Sequence, residues 1–77
     1  MLETEKKEID SRLKDIGRQL SLANKQFNVL IKLELKTTML VEYKELLEEA
    51  LSIGNKEMIE SLKRRINILE AKLASYS

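Results

Sequence analysis

The sequence predicts an all-α protein: a helical hairpin, in the form of an antiparallel coiled coil with a long first helix, working as an oligomer. Three observations predict it. The 77 residues contain no Pro and only two Gly, so little interrupts a helix. Leu, Glu and Lys, all strong helix formers, are among the commonest residues. Apolar residues recur at alternating steps of three and four, the spacing that keeps one face of a helix against a neighbour.

The first helix is expected over residues 4–51, with Thr4 as its cap and Glu5 in its first turn. Ile9, Leu13, Ile16, Leu20, Ala23, Phe27 and Leu30 form an unbroken seam along its first half. Beyond Leu30 the phase is lost. Leu33, Met39, Leu40, Tyr43, Leu46, Leu47, Ala50 and Leu51 make a broader stripe, the mark of a helix that touches more than one neighbour. The turn is expected at residues 52–55, where Gly54 suits a left-handed helix terminus and Asn55 can cap the helix that follows. That second helix spans about 56–76, with Glu57 in its first turn. Its seam, Ile59, Leu62, Ile66, Leu69 and Leu73, continues to Tyr76 and closes the hairpin within a single domain, residues 1–77.

Helix lengths turn this pattern into an interaction argument. The first helix would run roughly 70–75 Å and the second about 30 Å. Folded back at Gly54, the second covers only the region around residues 32–52, so Ile9, Leu13, Ile16, Leu20, Ala23, Phe27 and Leu30 are left as a partner-binding seam. Leaving such side chains in water costs roughly 1.5–3 kcal/mol for each large one. The partner is then another helical protein, a second copy of the chain, or both. The competing solution is a break near residues 31–38, where Thr37 and Thr38 weaken the helix, giving a three-helix bundle. Gly17 and Ala23 would admit a close neighbour along the seam.

Composition narrows function. With no His and no Cys, the usual proton shuttles, thiolates and zinc or haem ligands are missing, and Ser and Thr have no base to activate them. The expectation is a non-enzymatic protein with no cofactor, catalytic residue or metal. Glu42, Glu45, Glu48 and Glu49 read as a solvated acidic stripe rather than a cation site. The net charge of +1 offers no general attraction for nucleic acid, and the basic run Lys63-Arg64-Arg65 is interrupted by Glu57, Glu60 and Glu70 and lacks aromatic neighbours for stacking. The longest apolar runs, Val29-Leu30-Ile31 and Met39-Leu40-Val41, fall far short of a membrane span, and the acidic start is unlike a secretory signal. A cytoplasmic location is therefore expected.

One stretch competes with the all-helical reading. Residues 31–37 alternate apolar and polar, as a half-buried strand does. A strand, a helix, a Gly turn and a helix is the order of ribbon-helix-helix repressors, which lay paired strands in the DNA major groove. That alternative, a DNA-binding regulator, would present Lys32, Glu34 and Lys36 to DNA, with a carboxylate in the middle. A purely structural self-assembling coiled coil is the other alternative.

After Gly54 the second helix carries Leu62, then Leu69-Glu70, then Leu73. This arrangement resembles the small E-type co-chaperones of type III secretion needle subunits, short Cys-poor helical hairpins with a Gly-containing turn. The resemblance covers roughly the last 25–30 residues. It implies a co-chaperone that pairs with a larger helical-repeat chaperone and keeps a needle subunit from polymerising, with both seams as contact faces.

Overall fold

The computed structural model describes residues 2–76 and is all-α, with no strand among the described residues. Three helices follow one another: α1 (Leu2–Asn24), α2 (Val29–Ile53) and α3 (Lys56–Ala74). Residues brought together across the interfaces run in opposite senses along adjacent helices: Ile9 lies beside Ile53 and Ile16 beside Met39, while Lys36 meets Tyr76 and Lys44 meets Glu70. Each helix is therefore antiparallel to the one before it. The body is slender, 42 × 19 × 14 Å.

The long first helix expected over 4–51 is thus corrected to two helices, and the break lies at residues 25–28, upstream of the 31–38 region. Hydrogen bonding accounts for the position. The amides of Lys25 and Gln26 donate to the carbonyls of Leu22 and Ala23, tightening the end of α1 into a turn. Asn28 then takes an extended conformation (φ −78°, ψ 116°), and its side-chain oxygen accepts from the amides of Leu30 and Ile31 at 2.9 and 3.4 Å. An Asn at this position satisfies amide donors that the first turn of α2 otherwise leaves free. Thr37 and Thr38 do not break α2, because their hydroxyls donate to the Leu33 and Glu34 carbonyls one turn back, at 2.8 and 3.0 Å.

At the second connection Gly54 has φ 79°, a left-handed conformation free of Cβ crowding, and its amide donates to the Ala50 carbonyl at 2.9 Å. Asn55 caps α3 by accepting from the Met58 amide at 3.2 Å. Glu57 lies in the first turn of α3 and Lys72 in its last, each matching the sign of the nearby helix end.

Helix α2 is the centre of the molecule. α1 and α3 each pack on it, and their backbones do not approach one another. Met39, Tyr43, Leu46 and Ala50 of α2 repeat at heptad steps and face inward. They meet Ile9 and Ile16 of α1 and Met58, Leu62, Ile66 and Leu69 of α3 in one continuous core. Leu46 and Leu62 lie at its heart, both 0% exposed. The loss of phase after Leu30 has its cause here: α2 needs two apolar flanks because it is covered from two sides.

Candidate functional site

The partner-binding seam read from the sequence divides at the end of α1. Ile9, Ile16 and Ala23 are buried, and Leu13 and Leu20 are half-buried against the core. These five residues are covered within the same chain, which corrects the reading that they await another molecule. The physical reason is the turn at 25–28: once α1 folds back, its apolar face is covered without any second chain. Gly17 does not serve close approach either, since no neighbouring atom lies within 4 Å of where its Cβ would stand. On α3, Leu62, Ile66 and Leu69 are buried and Ile59 and Leu73 half-buried, all directed to the core.

Phe27 and Leu30 are the exception. Phe27 is completely exposed at the tip of the turn, and Leu30, one residue into α2, is 71% exposed. Val29 and Ile31 beside them are also exposed, so four large apolar side chains share one end of the molecule. Leu30 continues into a shallow hollow on the outer face of α2 formed with Leu33, Glu34, Thr37 and Thr38. Val41, also exposed, prolongs that face. Scattered exposed apolar residues are ordinary on small proteins, whereas a contiguous group marks an interaction surface. Val29 and Ile31 were not singled out by heptad spacing, because they lie off the seam. The signal that identifies them is the run Val29-Leu30-Ile31, since three successive helical residues span too wide an arc to face one core.

Glu34 is the one charged residue lining that hollow, and other charged groups pair across the helix interfaces. Arg12 of α1 donates from Nη1 to Glu49 Oε2 at 3.3 Å and approaches Glu45 at 3.8 Å. Two members of the acidic stripe are therefore engaged across the α1–α2 interface. Among the described residues no group of three or more His, Cys, Asp or Glu is arranged to hold a metal ion. Lys44 pairs with Glu70 at 3.6 Å across α2 and α3. Lys36 is buried, at 5% exposure, and its Nζ donates to the Tyr76 hydroxyl at 3.4 Å.

Residues 31–37, whose alternation suggested a strand, lie inside α2. The two-sided covering of α2 produces the alternation: Lys36 turns inward while Glu34 stays exposed, the reverse of a common polar face for Lys32, Glu34 and Lys36. No helix among the described residues is long and apolar enough to cross a membrane. Compared with protein-family models, curated proteins and solved structures, the chain matches none.

Proposed function

We propose that the protein is a non-enzymatic protein–protein interaction module that offers the α1–α2 turn and the start of α2 to a helical partner. The complete exposure of Phe27, next to exposed Val29, Leu30 and Ile31, carries this reading. An aromatic ring at the tip of a rigid turn is a typical anchor for a partner's apolar groove, and the hollow beside Leu30 can receive a side chain in return. Both flanking helices are fixed by the core, so the surface is held ready and little ordering is needed on binding.

The adaptor or co-chaperone role, coiled-coil pairing and a cytoplasmic setting belong to the same proposal. If the role is that of a type III secretion co-chaperone, the contact face differs from the one the resemblance implies. Leu62, Leu69 and Leu73 pack on α2, so the larger chaperone would be held by Phe27 and Leu30. Self-assembly through the same surface is the competing reading, and one experiment separates the two. Tagged wild-type protein is recovered from its native cell, and the recombinant protein alone is sized by sedimentation. The expected result is one stoichiometric helical partner, lost on Phe27→Asp with Leu30→Asp at unchanged helicity. A partner retained by that double variant overturns the assignment of the surface. A homodimer with no second protein replaces the adaptor role with self-assembly.

A further inference from the structure

A small cavity of about 130 Å³ lies where all three helices come together. Leu20 of α1 and Ile68 and Leu69 of α3 give it an apolar wall. Its border holds the Asn24 amide and three cations: Lys36 from α2, and Arg65 and Lys72 from α3. No carboxylate lines it.

Among the described residues no carboxylate pairs with these cations: the ion pairs there are Arg12 with Glu45 and Glu49, and Lys44 with Glu70. Lys36 is the buried one, and its hydrogen-bond partner is the Tyr76 hydroxyl. A cation held away from water attracts an anion more strongly than one in bulk solvent, because the local dielectric constant is lower. Among the described residues Lys36 has only the Tyr76 hydroxyl and ring as side-chain partners, and an anion in this cavity would add a charge-assisted contact that neither supplies.

We propose that the cavity binds a small organic carboxylate, with the anionic group toward Lys36, Arg65 and Lys72 and a compact apolar body against Ile68 and Leu69. The cavity is open to solvent on one side, so a ring that would need ~150 Å³ if fully enclosed can rest against its apolar wall and project partly outward. Inorganic phosphate fits less well. It has nothing to place on the apolar wall and must give up hydration there. The Asn24 amide supplies a further hydrogen bond to a carboxylate oxygen.

The test is titration of the full chain with benzoate, benzamide and inorganic phosphate, followed by amide chemical shifts. Benzoate is expected to give saturable shifts centred on Asn24, Lys36, Ile68 and Lys72, and benzamide to bind about tenfold more weakly or less, having lost the charge-assisted contacts. Arg65→Ala with Lys72→Ala alters two exposed side chains and leaves the core intact; it is expected to weaken benzoate by a similar factor. Lys36→Met should do the same from the buried side. Benzamide as tight as benzoate reduces the cavity to an apolar pocket and overturns the proposal. Phosphate as tight as benzoate, benzoate binding unaltered in both variants, or no saturable shift at millimolar benzoate overturns it equally.

Discussion

Lys36 Nζ donates to Tyr76 Oη at 3.4 Å and stands 5.3 Å from the centre of the same ring. The contact joins residues 40 apart in sequence and ties the residue after Ser75, the C-cap of α3, to the first half of α2. Among the described residues it is the only side-chain hydrogen bond of Lys36, which is 5% exposed. Replacing a buried charge with an apolar side chain of similar length is commonly neutral or stabilising, whereas removing its partner is not. Lys36→Met is expected to hold or raise the urea midpoint, and Tyr76→Ala to lower stability by about 1 kcal/mol through loss of the hydrogen bond and the ring contact. A clear loss of stability in Lys36→Met would show that the ammonium is stabilising where it lies.

The two glycines are expected to respond in opposite directions. Gly17 sits in the middle of α1 with open space at its Cβ position, so Gly17→Ala should stabilise by about 0.5–1 kcal/mol through helix propensity. Gly54 also has open space, but its φ of 79° is strained for any residue with a side chain. Gly54→Ala should cost about 1–2 kcal/mol, and Gly54→Asn less, because Asn tolerates the left-handed region. Chemical denaturation of the three variants measures all of this, and a stabilising Gly54→Ala is the outcome that contradicts the turn.

Burial of α1 within its own chain has a signature in concentration dependence. Ile16 is 2% exposed in the shared core, so Ile16→Ala should lose about 2–5 kcal/mol. The loss should be independent of protein concentration, since no second molecule supplies the contact. Melting curves across a hundredfold dilution, about the range over which a dimer's midpoint shifts visibly, provide the check. A midpoint that falls on dilution returns this face to another chain.

Leu20 and Phe27 belong to the same sequence seam and are expected to part company when each is changed to Asp. Leu20 packs against the core, and Leu20→Asp should destabilise by about 2 kcal/mol or more by placing a carboxylate there. Phe27 is exposed on all sides, so Phe27→Asp should leave the thermal midpoint where it is. Circular-dichroism melting separates them, and equal destabilisation of both contradicts the position of the turn.

The all-helical character and the Gly54–Asn55 turn are legible from the sequence because each has a local cause: the lack of Pro, a residue suited to positive φ, and a side chain suited to capping. The break at residues 25–28 is not, and the reason is geometric. Four residues outside the helices occupy nearly one helical turn of sequence, so the heptad count runs from Ala23 through Phe27 to Leu30 as though nothing intervened. The available signals are quieter. Asn24 and Asn28 flank the turn, and the stripe changes phase immediately after Leu30. The exposed surface was partly legible for the same reason: Phe27 and Leu30 count as seam residues, whereas Val29 and Ile31 acquire meaning only once the chain has turned. The cation-lined cavity joins residues from three helices, a proximity that no local spacing encodes.

Because the backbones of α1 and α3 each pack on α2 and do not approach one another, every close backbone contact between helices joins neighbours along the chain. Such local topology carries a small loop-closure penalty, which places the molecule among chains that fold in microseconds to milliseconds. Side chains of α1 and α3 nevertheless share the core and meet around Leu20 and Leu69, so loosening α1 also uncovers part of α3. A protein of this size then responds to stress as one unit, since opening either flank exposes apolar surface that the other flank shares.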